Sequence, residues 1–311
     1  MELIQLPDLR TKRIAIVGVG TLGSIAAQLL SRTEVGNLKL IDHDIVQQSN
    51  LVRQQLYGKK DIGKLKCFAA REKLNGTISA LPVHLTEENV HLVNADLVLD
   101  CTDNLETRFL INEYCNKMRI PWVHAAASGS VGVVLPITGN YCFKCIYGDV
   151  KTGLTCENDN ILPQTAWATA SLQVTEALKI LMGKQHANAL IRFDTVRNTC
   201  DFLKVKKNQG CSVCNGINKA KGNMHFTFTV SRCKTRAAYS AKPNKNITLN
   251  LGDVKKKFTT LIDTPIALVI KETDVEIIVH SHGELVFKNF YDEEKIKLIA
   301  EKIYGAGHER N

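Results

Sequence analysis

The alternation of apolar and polar positions divides the chain into two unlike parts. Arg13 to Val17 (RIAIV) is a short β-branched run ending at glycine, the pattern of a strand buried on both faces. The glycine-rich GVGTLG follows, then SIAAQLLSR, which is apolar at helical spacing. LKLID (Leu38 to Asp42), ADLVLD (Ala95 to Asp100), PWVHAAA (Pro121 to Ala127) and VGVVLPI (Val131 to Ile137) repeat the buried-strand pattern. Asp61 to Leu74 and Asn104 to Met118 read as helices, and Ala166 to Met182 as a long helix closed by Gly183. Strands alternating with helices in this way predict an α/β fold built on a doubly wound, mainly parallel, Rossmann-like sheet.

The pattern changes after Cys214. The chain becomes polar and basic, with one alternating stretch, FTFTV (Phe226 to Val230). ITLNL (Ile247 to Leu251) reads as a strand, Val254 to Leu261 as a short helix, and Ile266 to Ile270 and Glu276 to Val279 as strands. A turn at Ser281 to Glu284 leads into LVFK, and Asp292 can cap a last helix ending at Gly305 with Glu293 and Glu294 in its first turn. The expected division is a large domain over 1–215, a basic linker over 216–245 and a small α+β domain over 246–311.

Charge and cysteine content narrow the setting. The formal net charge is +9, and Lys219 to Lys257 holds ten Lys or Arg against a single acid, Asp253. That stretch is either a solvated linker or a surface for an acidic protein or nucleic acid. No apolar run is long enough to span a bilayer, and the N-terminus lacks a signal core, so a cytoplasmic protein is expected. Ten cysteines in such a chain stay reduced and are available for metal.

Gly18, Gly20 and Gly23 form G-x-G-x-x-G between a strand and a helix. The glycines allow a tight turn and bring phosphate close to the helix N-terminus, whose free amides favour an anion. Asp42, at the end of the next strand, suits the ribose hydroxyls. This much fits an NAD oxidoreductase as well as an ATP enzyme. Four features separate the two: Asn50-Leu51-Val52-Arg53-Gln54, Gly63-Lys64-Leu65-Lys66, Asp100-Cys101-Thr102-Asp103-Asn104 at a strand end, and the pairs Cys142/Cys145 and Cys211/Cys214.

Adenylation needs such a set. A carboxylate nucleophile is already ionised, so the barrier lies in bringing it onto an anionic triphosphate; positioning and charge neutralisation lower it. Asp103 can hold magnesium on the phosphates, and Arg53 with Lys66 or Lys64 can neutralise phosphate oxygens as pyrophosphate leaves. Taken singly, a strand-end Asp can cap a helix and a helix lysine can be solvated; their coincidence at one sheet edge favours function. Each Cys-x-x-Cys pair chelates one side of a tetrahedral zinc, so the two pairs together would close a structural site across Ile146 to Gly210. Cys156, in the polar loop LTCENDN, is either an inert thiol or one able to form a thioester or persulfide with an activated partner.

The chain resembles the ThiF/MoeB/HesA family, relatives of ubiquitin-activating enzyme, over about Arg13 to Cys214. The motifs are RIAIVGVGTLGS, IDHDIVQQSNLVRQQ, DIGKLKCFAAREKL, DCTDNLETRFLIN, YCFKC, LTC, SLQVTEALKIL and GCSVC. The resemblance implies adenylation of the C-terminal Gly-Gly carboxylate of a small β-grasp carrier, with ATP and magnesium, in a homodimer. By position it implies that Asp42 binds the ribose and that Asn50, Arg53 and Gln54 line the phosphate site. Lys66 becomes the phosphate-facing lysine, Asp103 the magnesium aspartate and Cys156 the partner-linking cysteine.

The chain departs from the family in three ways. Family members usually carry an arginine on an N-terminal helix that reaches the neighbouring subunit's ATP site, whereas only about a dozen residues precede the first strand here, which leaves Arg10 as the candidate substitute. Thr21 replaces a common glycine. No rhodanese-like segment follows, so a separate protein would donate any sulfur. Within the family a tRNA-modifying ATPase is the alternative, and a non-catalytic, partner-binding scaffold is a further one.

Overall fold

In a computed structural model, residues 8–148, 161–216, 228–233, 238–243 and 247–307 are described. The chain forms two compact units, Met1–Lys219 and Ala220–Asn311.

The first unit opens with β1 (Arg13–Val17), α1 (Thr21–Leu30) and β2 (Asn37–Ile41), followed by α2 (Lys66–Arg71), β3 (Ile78–Leu81) and β4 (Leu97–Asp100). It continues with α3 (Leu105–Met118), β5 (Trp122–Ser128), β6 (Val131–Ile137), α4 (Phe143–Tyr147), α5 (Pro163–Leu181), β7 (Ala189–Asp194) and β8 (Thr199–Lys204). The strands make one eight-stranded sheet in the order β3-β2-β1-β4-β5-β6-β7-β8. From β3 to β5 every neighbouring pair is parallel; from β5 to β8 every pair is antiparallel. The sheet is therefore mixed, with a parallel half as the sequence predicts and an antiparallel half that buried runs alone do not distinguish.

Crossover helices cover the parallel half. Alternation along β1 sends Ala15 and Val17 to one face, where they join Val98, Ile111, Cys115, Trp122, Leu135 and Phe143 in a continuous core beneath α3 and α4. Ile14 and Ile16 are fully buried on the other face, where α1 and α5 pack together. Phe143 and Trp122 are the largest fully buried side chains of this unit, and truncating Phe143 to alanine would cost about 3–5 kcal/mol. At the sheet's antiparallel end β8 is exposed along its whole length, with Phe202 63% exposed. The helix expected over Asp61 to Leu74 is shorter, α2 alone, because a 3-10 turn at Lys59–Asp61 and the left-handed Gly63 delay its start.

The second unit holds β9 (Phe228–Cys233), β10 (Ala238–Pro243), α6 (Leu251–Lys257), β11 (Thr259–Asp263), β12 (Ala267–Glu272), β13 (Val275–His280), β14 (Leu285–Lys288) and α7 (Glu293–Gly307). Its antiparallel sheet runs β11-β12-β13-β14-β10-β9. Leu268, Ile270, Ile277, Val279, Leu285 and Phe287 pack under α7 through Ile296, Ile299, Ala300 and Ile303. Three expectations change here; the helix expected over Val254 to Leu261 is α6, which ends at Lys257, and its last expected residues lie in β11. The stretch 216–245 contains two strands of this sheet, because FTFTV and AYSAK carry the period-two alternation that outweighs their basic neighbours. Ile247 to Asn250 is not a strand; the Asn250 side chain instead caps α6 by accepting from the Gly252 and Asp253 amides.

Candidate adenylation site and cysteine cluster

The ends of β1, β2 and β4 lie side by side: Val17 is in register with both Ile41 and Asp100. The segments that follow these three strands therefore share one edge, the carboxyl edge where open α/β sheets bind ligands. Gly18 has φ +83°, and a Cβ there would meet the Cys101 carbonyl oxygen at 2.8 Å. A Cβ at Gly23 would stand 1.8 Å from the Gly18 carbonyl oxygen. Both glycines are thus required for α1 to spring directly from β1. Gly20 precedes α1 without a side-chain cap, and the first turn has no acidic residue, so the amide end of the helix faces an anion unopposed.

Asp42 is 7% exposed and is held by backbone: its Oδ2 accepts from the Val19 amide at 2.6 Å and its Oδ1 from the Asp44 amide at 2.7 Å. Burial pushes the Asp42 carboxyl above its ordinary range, and the Lys66 charge opposes this. Lys66 is 5% exposed and donates to Asp44 Oδ2 at 2.7 Å. Lys64 behaves differently: it is exposed and bonds Glu72 at 2.6 Å. The two lysines left open by spacing are thus separated by burial. Asn50 is buried and accepts from the Gln47 amide at 3.1 Å. Arg53 is half-buried, with Nη1 3.4 Å from the Ser49 carbonyl oxygen. Gln54 is 4% exposed, lies against Gly20, and its Oε1 has no hydrogen-bond partner among the described residues. An orphaned buried acceptor beside the glycine loop fits a polar ligand completing the site.

Asp103 is exposed at the turn between β4 and α3. It is not the cap of α3; Asn104 is, accepting from the Thr107 amide at 2.9 Å. Its neighbour Asp100 is fully buried and accepts from the Thr102 amide at 2.9 Å, the Thr102 hydroxyl at 2.6 Å and His124 Nδ1 at 2.7 Å. Burial acts to raise the Asp100 pKa, but His124 and the nearby Arg108 charge outweigh it and hold the carboxyl below its ordinary range. Burial in turn lowers the His124 pKa, leaving a neutral imidazole. Gln173, fully buried on α5, donates to the Asp100 and Val123 carbonyls at 2.9 and 2.8 Å.

Sequence reasoning missed these supports. Tyr57 belongs with them: its hydroxyl donates to the Val19 carbonyl at 2.7 Å. Asp100 and Thr102 lie inside the run that the sequence singles out and Asp44 alternates with Asp42, but nothing local marks Tyr57, His124 or Gln173. Arg10 is exposed and forks onto Asp8 of its own chain at 2.9 Å. Cys156 lies outside the described residues.

On the loop before and within α4, and in a turn after β8, four thiols converge. Cys142 Sγ is 3.7 Å from Cys145 and 3.5 Å from Cys211, and Cys145 is 3.5 Å from Cys214. All four sulfurs lie within 4.8 Å of one another. A tetrahedral zinc with sulfur at about 2.3 Å requires sulfur separations of about 3.8 Å, so the four residues fit. Asn116 donates to the Val213 carbonyl at 3.1 Å, tying the second pair to α3.

The ThiF family model matches residues 3–213. The chain belongs to the ThiF family. Within it, the molybdopterin-synthase adenylyltransferase of Escherichia coli is 35% identical over 223 residues, covering 66% of this chain and 88% of that protein. The sulfur carrier protein ThiS adenylyltransferase of Bacillus subtilis is 27% identical over 322 residues, covering 96% of this chain and 94% of that protein, so this ThiF-family relative matches both units. The SAMP-activating enzyme E1 of Haloferax volcanii is 32% identical over 66% of this chain and 81% of its own length. A crystal structure of Escherichia coli MccB with ATP shares the ThiF-family fold, with a TM-score of 0.60 at 21% identity over 67% of this chain and 68% of that one. Among the described residues no helix is long and apolar enough to cross a membrane.

Proposed function

We propose that this chain adenylates the C-terminal Gly-Gly carboxylate of a small β-grasp protein, a sulfur carrier or ubiquitin-like modifier. One observation carries the reading: the uncapped glycine loop of α1 shares its strand edge with a buried Asp42, a buried Lys66 and an exposed Asp103, beside the orphaned Oε1 of Gln54. The named relatives support it: one adenylates molybdopterin synthase, one the sulfur carrier protein ThiS, and one activates SAMP.

The carrier's carboxylate oxygen attacks the α-phosphorus of ATP, the bond to the β-phosphate oxygen breaks, and pyrophosphate leaves with its electron pair. Asp42 receives the ribose hydroxyls. The α1 amides, Asn50, Arg53 and Gln54 hold the phosphates, and Lys66 and Arg53 offset charge on the departing oxygens. Asp103 would hold magnesium, which when bound neutralises phosphate charge. Cys142, Cys145, Cys211 and Cys214 would hold zinc in a closed, structural site. A homodimer, a separate sulfur donor and later transfer through Cys156 complete the proposal.

The test is ATP–pyrophosphate exchange with purified chain against each small Gly-Gly-ending protein of the same genome. Exchange that depends on one such carrier and is lost when its last glycine is removed is the expected result. ATP turnover without any carrier dependence would remove the carrier reading, and no nucleotide binding at all would leave a scaffold.

A further inference from the structure

The supports beneath Asp103 converge on a residue that the adenylation reading does not use. His124 is 1% exposed and stands directly opposite Asp100 in the β4–β5 register. Its Nδ1 meets Asp100 Oδ2 at 2.7 Å, and the other oxygen of Asp100 holds both the amide and the hydroxyl of Thr102. Arg108 closes the ring: its Nη2 donates to the Thr102 carbonyl at 2.5 Å, and its Nε lies 3.6 Å from Asp100 Oδ2. Thr102 is thus gripped at its amide, hydroxyl and carbonyl, and the next residue is Asp103. The imidazole is itself held in place by α4. Phe143 lies 5.0 Å and Tyr147 5.9 Å from its centroid, both edge to face, and the buried Asn112 fixes the start of α4 by accepting from the Phe143 amide at 2.8 Å.

We propose that His124 is a positioning residue for the Asp103 turn: it fixes the Asp100 carboxylate and through it the Thr102 backbone, so that Asp103 is presented in one geometry. The physical reason is specific. A carboxylate on a short strand end can rotate about two bonds, and a buried, unpaired oxygen would draw Asp100 toward Arg108 instead. A neutral imidazole donating through Nδ1 satisfies that oxygen without adding a second cation beside Arg108. Phe143 and Tyr147 limit its ring rotation, so the donor is preorganised rather than recruited. The same helix α4 that packs on this imidazole through Phe143 and Tyr147 also carries Cys145.

The inference rests on Asp103 holding magnesium on ATP, and the experiment separates the two. ATP affinity is measured by calorimetry with and without magnesium on wild type, Asp103→Ala, His124→Leu and His124→Asn, each checked for native circular dichroism and metal content. Asp103→Ala should abolish the tightening that magnesium gives. His124→Leu should reduce that tightening by about tenfold while metal-free ATP binding stays within about twofold, and His124→Asn, which keeps a donor near Nδ1, should recover most of it.

If Asp103→Ala keeps the magnesium effect, the magnesium reading fails. If Asp103→Ala loses it and a folded His124→Leu keeps it, the positioning role fails. Should His124→Leu not fold, nitrogen-15 spectra of wild-type imidazoles decide: a neutral ring protonated on Nδ1 at pH 7 is expected, and one protonated only on Nε2 overturns the proposal.

Discussion

The nucleotide edge and the cysteine corner of the first unit are both built from segments far apart in sequence, but they are finished differently. At the edge, few groups aim at the ligand. Most of the buried polar side chains hold loops: Asp42 holds Val19, Tyr57 holds the glycine turn, and Asp100 holds Thr102. Gln54 Oε1 is left without a partner among the described residues. At the corner, four like donors face one another within 4.8 Å, with no fifth metal-ligating side chain grouped with them among the described residues. On the proposed function, the contrast is that of a site which would release what it binds with one which would keep it. The first spends its structure on a second layer of supports, the second on its ligands.

The largest effect tests the corner. Cys211→Ser should cost the metal and lower the melting temperature on the order of 10 °C, since loss of a structural metal is loss of folding free energy. Metal content unchanged by atomic absorption would dissolve the contrast, leaving four reduced thiols. Next, Asp103→Ala should lower pyrophosphate exchange by about 10²–10³-fold with native circular dichroism, by analogy with removing one electrostatic stabiliser of a transition state. Undiminished exchange would move the chemistry away from this turn.

The third sharpens the edge itself. Lys66→Ala should remove the buried cation bonded to Asp44 and destabilise the unit by about 3 kcal/mol in urea unfolding. Lys64→Ala, whose Glu72 pair is exposed, should change stability by less than about 1 kcal/mol. Equal effects would mean that burial does not distinguish them.

The smallest effect concerns pH. Burial lowers the folded-state pKa of His124, so below about pH 6.5 the unfolded chain binds a proton that the folded chain refuses. Stability on this account falls as pH drops from 6.5, by up to about 1.4 kcal/mol per unit. His124→Asn should flatten part of that slope in melting curves between pH 6.5 and 5; an unchanged slope would place the lost stability elsewhere. The Asp100 contribution has the same sign but enters only below its ordinary pKa, near about pH 4.

Much of this was readable beforehand for local reasons. β1, the glycine loop and α1 are contiguous, so strand, turn and anion-binding helix end are written in one run of residues. The paired cysteines announced themselves by spacing, and their meeting in the structure follows from the return of β7 and β8 along the sheet. The pairing of β9 with β10 was hidden because only FTFTV shows its alternation plainly, while Arg232, Lys234, Arg236 and Lys242 give the stretch the composition of a linker. The choice between Lys64 and Lys66 was invisible because both stand at the start of the same helix, and only the fold decides which one reaches Asp44.

The amino-acid order alone settled the α/β class, the glycine loop between β1 and α1 and the paired spacing of the four thiols, since each depends on neighbours within a few residues. Tertiary structure alone decided that half the sheet is antiparallel, which lysine is buried, and that His124 lies against Asp100. Those facts depend on which strands pair, and pairing is set by the packing of the whole sheet rather than by any single stretch of it.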